Sequence, residues 1–243
     1  MADKLMRLDR FLELAGACKS RSEAKKVLHD KVVYVNDVLI TAADAKVDTA
    51  KDSIAVNGHL YVYREFRYFL LNKPEGVISA TKDRISDTVL SLIPEADPRS
   101  YFPVGRLDKD TEGLLLITND GQFSHKLTSP RKEVPKTYLA HITGKVTDAE
   151  KERLESGIVF EDFTSKPAVY EFLKMDGECS DCLLTITEGR FHQVKRMFHA
   201  VGHEVVKLKR LSIGGLKLPE SLPAGQYLEY TLEQLNEAIY KMD

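Results

Sequence analysis

Cysteine is scarce: 3 in 243 residues. So small and odd a number does not build a disulfide-stapled secreted scaffold, and it fits a reducing compartment. Long apolar runs are missing as well. Leu114 to Ile117 is among the longest, whereas a membrane-spanning helix needs about 20 apolar residues. Lys4, Arg7, Asp9 and Arg10 interrupt any hydrophobic opening segment of the secretory kind. The expectation is a cytoplasmic chain with no membrane partner. Excess charge of one sign is also lacking, at a net −2. That excludes a protein that coats nucleic acid indiscriminately. No internal repeat or low-complexity segment appears.

What is present is a hydrophobic fraction of 43 %, enough for a real core, and a charge that is unevenly spread. Lys4 to Lys31 holds eight basic residues against four acidic, and Gly189 to Lys217 holds seven against one, Glu204. The tail beyond Leu218 is acidic instead. Local basic patches in a neutral chain point to selective phosphate contact.

The first sixty residues read as two helices followed by short strands. Leu5, Leu8, Phe11, Leu12 and Ala15 recur at helical spacing until Gly16. Ser20 with Glu23 has the form of a capping box opening a helix through Leu28. Val32 to Val35 and Val38 to Ile40 form an expected hairpin about Asn36-Asp37. Ile54 to Val56 runs into an Asn57-Gly58 turn. A polar-aromatic stretch near Tyr63 marks the expected boundary, giving domains 1–62 and 63–243.

This order resembles the alpha-L RNA-binding module of the ribosomal-protein S4 type. The likeness is carried by Arg7-Leu8-Asp9 with Phe11-Leu12, by Ser20 to Ala24, and by Val32 to Asp37. It implies that Arg7, Arg10, Lys19, Arg21, Lys25 and Lys26 face RNA phosphates. Solvated helix faces are the alternative reading of the same charges.

In the remainder, strands are expected at Tyr68 to Leu71, Gly113 to Thr118, Tyr138 to Ile142, Ala168 to Leu173, Leu183 to Thr187, Val205 to Leu208 and Tyr227 to Tyr230. Helices are expected at Asp148 to Glu155, Phe191 to Val201 and Leu232 to Tyr240, with a short one at Thr88 to Ile93. The irregular alternation predicts an α+β fold with a mixed, mainly antiparallel sheet and flanking helices.

The densest stretch runs from Gly105 through Arg106, Leu107, Asp108, Lys109 and Asp110 to Gly121. A polar loop enters an apolar strand, so its carboxylates stand at the mouth of the sheet. Spacing alone favours a turn whose aspartates bond their own backbone. The stretch nevertheless resembles the signature of the RsuA-type pseudouridine synthases. Three further segments match in family order: Arg67 to Pro74, Glu133 to Leu139, and Glu188 to Met197.

The resemblance implies an isomerase that converts a uridine of ribosomal RNA to pseudouridine. The N1–C1' bond breaks, the uracil turns, and C5 joins C1'. The reaction is redox-neutral and needs neither cofactor nor metal. Asp108 would be the catalytic carboxylate, able to attack C1', to stabilise positive charge there, or to take a ribose proton. Lys195 would keep it ionised in a desolvated pocket, with Arg196 the weaker choice. Tyr138 would stack on the target base and could assist proton transfer at C5, although a lone strand tyrosine is usually core packing. Arg106 would fill the gap left by the everted nucleotide, or else pair with Asp110 or Glu112. Arg190, His192 and Arg196 would join the RNA contacts. Lys207, Lys209 and Arg210 on one strand would touch RNA as well.

Three segments, Ser129-Pro130-Arg131, Lys166 to Val169 and Ile213-Gly214-Gly215, lean toward the small-subunit branch of the family. That implies a single uridine of 16S rRNA; a 23S rRNA enzyme, or a non-catalytic assembly factor, is the alternative. The expected partner is ribosomal RNA or an assembling subunit, met by a monomer. Other signals are weaker. Asp110 and Asp120 are assigned to loop structure. Cys179-x-x-Cys182 is incidental, because no second pair exists for zinc. His199 and His203 are split by Gly202, which disfavours a metal site. Gly214-Gly215 reads either as a phosphate approach or as a turn.

Overall fold

The computed structural model describes residues 5–241, and the chain divides into two compact units, one ending at Glu65 and the other beginning at Phe66.

The first unit contains β1 (Leu5–Arg7), α1 (Leu8–Leu14), α2 (Arg21–His29), β2 (Val33–Val35), β3 (Val38–Leu39), β4 (Lys46–Asp48), β5 (Ile54–Val56) and β6 (His59–Tyr61). β3-β2-β5-β6 form an antiparallel sheet, and β1 pairs separately with β4. Leu5 is thus in a strand rather than in the first helix: Leu5 to Arg7 are drawn into extended pairing with Lys46 to Asp48. A helical apolar period shared with a three-residue strand hid that boundary. Ser20 does cap α2, accepting from the Glu23 amide. The Glu23 carboxylate, however, reaches the amide of Lys19 instead of that of Ser20, so the reciprocal half of the capping box is displaced by one residue. Leu8, Phe11, Leu12, Ala24, Leu28, Val33, Val47, Ile54 and Val56 close one small core.

Beside that core lies a buried charge. Asp9 is fully buried and accepts from both Arg7 and Arg21, at 3.1 and 2.8 Å. The Arg7 guanidinium, with Arg21, holds the Asp9 carboxyl down to about 2. Two of the six expected phosphate contacts therefore neutralise an internal carboxylate. Arg10, Lys19, Lys25 and Lys26 stay exposed.

The second unit contains β7 (Tyr68–Lys73), β8 (Phe102–Val104), β9 (Thr111–Thr118), α3 (Gly121–Thr128), β10 (Lys136–Thr143), α4 (Asp148–Ser156), β11 (Val169–Asp176), β12 (Cys179–Ile186), α5 (Gln193–Ala200), β13 (Val205–Ile213), β14 (Leu216–Lys217), β15 (Tyr227–Tyr230) and α6 (Leu232–Tyr240). One nine-stranded sheet runs β11-β12-β10-β13-β9-β7-β15, with β14 on β13 and β8 on β9. Among the paired strands of this sheet in the described residues, only β9 with β13 is parallel. The fold is α+β with a mixed, mainly antiparallel sheet.

The central strands are apolar throughout because both sheet faces are covered. Phe69, Leu71, Leu115 and Ile117 point into a core closed by α4 and α5. Their neighbours Tyr68, Leu70, Leu114 and Leu116 point into a second core closed by α3 and α6. Side chains alternate across a strand, so one run of residues serves two layers. Helix α3, which no sequence expectation covered, begins at a cap: Asp120 accepts from the amides of Gln122 and Phe123 and from the Tyr68 hydroxyl. Asp120 is thereby a structural carboxylate, and Phe123 and Leu127 anchor the helix.

The Gly214-Gly215 pair is a turn and not a phosphate approach. A Cβ at Gly214 would stand 2.2 Å from the Ile239 carbonyl, and one at Gly215 would stand 2.6 Å from those of Ala238 and Lys241. The glycines let the end of α6 pack on the β13–β14 connection. Among the described residues no helix is long and apolar enough to cross a membrane. Nor does any group of three His, Cys, Asp or Glu side chains among them have the arrangement a metal would need. Cys182 is fully buried, and burial pushes its thiol up to about 12.

Candidate active site

A cleft of about 510 Å³ opens in the second unit beside the parallel β9–β13 pair. Its walls come from three places: the loop between β8 and β9, the start of β10 with β13, and the turn that leads into α5.

The first wall carries Asp108. Gly105 to Asp110 must leave β8 and re-enter the sheet as β9, and the loop is clamped from the 73–79 segment. The Lys73 ammonium, itself fully buried, donates to the carbonyls of Pro74, Lys109 and Thr111 at 3.0, 3.3 and 2.8 Å. The Ser79 hydroxyl donates to the Leu107 carbonyl and accepts from the Leu107 amide. Gly76 donates to the Lys109 carbonyl. Five bonds thus fix the backbone on both sides of Asp108. Burial pushes Lys73 down to about 8, against the pull of Asp110 and Asp108.

The second wall turns on Glu188. Buried, it accepts from the Lys166 amide and from the Gln193 side chain, while Gln193 accepts from the Arg190 amide. His192 takes the left-handed conformation, φ +50°. For this reason α5 starts at Gln193 and not at Phe191. Lys195 and His192 are brought to Asp108 from this side. The Lys195 ammonium stands 3.7 Å from Asp108 and 2.5 Å from Asp110, and His192 Nε2 stands 3.5 Å from Asp108. Lys195 beside it lowers the Asp110 carboxyl. Asp110 therefore does more than shape its loop, because it shares the cation of Asp108. The Asp108 side chain is 28 % exposed. It is less desolvated than the sequence suggested, since the cleft is open above it.

Tyr138 is buried in β10 and lines the same cleft, and its hydroxyl has no partner among the described residues. Arg106 stands exposed at the rim and forms no ion pair with a described residue, so the pairing with Asp110 or Glu112 is not made. Arg190 is exposed at the rim, near Glu188 and over the Phe163 ring.

Arg196 lies outside the cleft. It pairs with Asp162 at 2.5 Å and lies over the rings of Phe160 and Phe163. Of the two neighbouring cations, Lys195 and not Arg196 stands beside Asp108. Lys207, Lys209 and Arg210 do not form one surface. Lys207 and Lys209 line a separate shallow hollow with Glu112 and Asp181. Arg210 belongs to the opposite face, is 3 % exposed, and donates through Nε to the Leu114 carbonyl. Strand alternation separates them, and Arg210 does not share the surface of Lys207 and Lys209.

Lys73, Ser79, Glu188 and Gln193 were not singled out from the sequence. A usable signal existed only for Lys73, a lone cation that closes an apolar strand.

Residues 67–200 match the model of the RNA pseudouridylate synthase family, and residues 6–54 match the S4 domain. The chain belongs to the RNA pseudouridylate synthase family, isomerases that act on RNA. It is 45 % identical over 233 residues to a Bacillus subtilis protein described as an uncharacterized RNA pseudouridine synthase, YtzG, covering 95 % of this chain and 97 % of that one. It is 42 % identical to the ribosomal large subunit pseudouridine synthase B of Bacillus subtilis, covering 93 % and 92 %. To the ribosomal small subunit pseudouridine synthase A of Escherichia coli K12 it is 39 % identical, covering 96 % and 100 %.

Proposed function

We propose that the protein isomerises one uridine of 16S ribosomal RNA to pseudouridine, with Asp108, Tyr138 and Lys195 as the catalytic group. The observation that carries this reading is the placement of an aspartate, a cation 3.7 Å away and a tyrosine in one cleft. A non-catalytic binder has no use for that combination.

Asp108 acts at the ribose. The C1'–N1 bond breaks with its electron pair leaving on N1, and the carboxylate takes or balances the charge at C1'. The base turns, C5 bonds to C1', and the proton that C5 loses is replaced by one on N1. No other reactant is consumed. Lys195 supplies the counter-charge of Asp108 as the entering base displaces water, and His192 stands on the same side. Tyr138 stacks on the base. At the rim, Arg106 fills the gap in the RNA and Arg190 meets a flanking phosphate. Lys207 and Lys209, and in the first unit Arg10, Lys19, Lys25 and Lys26, bind phosphates further along a structured RNA.

The small-subunit target is supported by the segments around Pro130, Pro167 and Gly214 and by the relative from Escherichia coli. The somewhat higher identity to a large-subunit enzyme favours a second reading, a uridine of 23S rRNA. Mapping pseudouridine in both rRNAs, from cells with and without the gene, separates the two. The expected result is loss of one 16S mark. Asp108→Asn as the sole copy should lose the same mark; a full set of marks in those cells would sink the enzyme reading.

A further inference from the structure

Two further cations, neither with a carboxylate partner, line the cleft that holds Asp108 and Tyr138. Arg210 is 3 % exposed, and only its Nε is engaged, by the Leu114 carbonyl. Its Nη2 is buried with no hydrogen-bond partner. Lys136, at the start of the neighbouring β10, is half-buried and donates only to the Val134 carbonyl. The nearest carboxylate, Glu188, is taken up by Lys166 and Gln193. Thr111, opposite Leu208 on the parallel strand, adds a buried hydroxyl that is likewise unpartnered. All three residues line the cleft that holds Asp108. Burial, then the neighbouring Arg210 charge, pushes Lys136 down to about 8. Two partly desolvated like charges side by side are costly, and such an arrangement marks a functional site.

We infer that Lys136 and Arg210 bind a carbonyl oxygen of the target uracil and stabilise the detached base as an anion. The inference rests on the isomerase reading above and deepens it. When C1'–N1 breaks, the electron pair stays with the base, and the negative charge spreads from N1 onto the ring carbonyls. No proton has yet reached N1 at that stage. A fixed pair of cations facing those oxygens strengthens its hold as the charge develops, which is the condition for lowering a barrier. The same contact keeps the free base in the cleft while it turns to present C5. Depth selects the base over the backbone: Arg210 is far more buried than the rim cations Arg106 and Arg190, which are placed for phosphates. Thr111 supplies a neutral donor or acceptor for the imide edge.

The test uses the full-length enzyme and an rRNA substrate on which the wild type acts. Single-turnover rate and RNA affinity are measured for wild type, Lys136→Met, Lys136→Arg and Arg210→Gln. Each is assayed with uracil, 2-thiouracil or 4-thiouracil at the target. Lys136→Met should slow turnover about 100-fold, the usual loss of one charge-stabilising donor, with RNA affinity within about 2-fold. Lys136→Arg should recover at least about a tenth of the wild-type rate. A sulfur at one position is a poorer acceptor, so it should slow the wild type and leave Lys136→Met no slower than it already is.

Full activity of Lys136→Met overturns the assignment, as does a thio penalty equal in both enzymes. Weakened RNA affinity with an unchanged saturating rate also overturns it, making Lys136 a phosphate contact. Arg210→Gln carries the same thio comparison independently if Lys136→Met fails to fold. A wild type that forms no pseudouridine in any rRNA sinks the isomerase reading itself, which is a different outcome from an active wild type with an indifferent Lys136.

Discussion

The Asp108 carboxylate and the Lys195 ammonium stand 3.7 Å apart although 87 residues separate them in the chain. One comes from a loop pinned by a buried lysine, the other from the first turn of a helix. Lys195 is nearer still to Asp110, at 2.5 Å. A single cation thus faces two carboxylates, only one of which lies deep enough to meet a base.

Lys195→Met should reduce the single-turnover rate by about 100-fold, because Asp108 loses the cation that stands beside it in the cleft. RNA affinity should change by no more than about 2-fold. Asp110→Asn leaves Lys195 to Asp108 alone and should cost less than about 10-fold. Filter binding and quenched-flow assays read these separately. A loss in Asp110→Asn as large as that in Asp108→Asn would assign the two carboxylates the same role.

Tyr138 offers a cleaner division of roles. Tyr138→Phe keeps the ring and loses the hydroxyl, whereas Tyr138→Ala loses both. If stacking dominates, Phe retains RNA affinity and most of the rate, and Ala does not. If the hydroxyl moves the C5 proton, Phe loses product release of tritium from [5-³H]uridine RNA while affinity is kept. A Phe variant with weakened RNA binding and normal chemistry would contradict both.

Much of this was legible in the residues. Apolar runs closed by turn residues located the sheet, because periodicity and turn chemistry are local properties. Asp108 was singled out only by the resemblance of the Gly105 to Gly121 stretch to a family signature, since spacing alone favoured a structural turn. What escaped was non-local. Arg210 follows Lys209 in sequence, yet pleating turns it into the interior. Arg7 and Arg21 read as surface charges, yet they close on Asp9 across the helix pair. The five-bond clamp on the Asp108 loop joins segments about 30 residues apart and leaves no pattern in either segment alone. Helix α3 escaped for a simpler reason: two apolar anchors in eight residues make a weak periodic signal.

Raising the pH should separate activity from stability. Lys73 and Lys136 are both pushed down to about 8 from an ordinary 10.5. Between those values the unfolded chain binds more protons than the folded one, so these two groups make folding more favourable as pH rises. Activity goes the other way, because the charged clamp on the Asp108 loop and the cation facing the base are both lost above about pH 8. Lys73 faces Asp108, Asp110, Glu112 and Glu75, and Lys136 faces Arg210 and Glu188. The rate should fall several-fold from pH 7.5 to 9.5 while the melting temperature does not drop in step. A parallel fall of both would show unfolding instead.

The first unit has an acid-side counterpart. Asp9 is held down to about 2 by Arg7 and Arg21. Its folded value lies below its unfolded one, so its contribution is complete above about pH 4 and disappears as pH falls toward 2. Asp9→Ala leaves two half-exposed guanidinium groups without their carboxylate and empties a fully buried position, so it should lower the denaturation midpoint of the unit. Denaturant melts followed by circular dichroism check this at pH 7. RNA affinity should fall with it, even though Asp9 is buried and touches no ligand. An unchanged midpoint would mean that the two arginines are held by solvent and not by Asp9.

Gly113→Ala tests the parallel pair on which the cleft is built. Gly113 has φ +103°, and an added Cβ would stand 2.3 Å from the Arg210 carbonyl and 2.8 Å from its amide nitrogen. Those atoms are backbone in a strand paired on both sides, so the methyl cannot be accommodated by a side-chain rotation. β9 and β13 must separate locally, and the movement reaches Thr111 and Asp108 on one strand and Arg210 on the other. The expected loss is a few kcal/mol of stability with at least about 100-fold in rate. Gly113→Ser should behave no better, because the clash lies at Cβ. A soluble, fully active Gly113→Ala enzyme would show that the close approach of the two strands does not set the catalytic geometry.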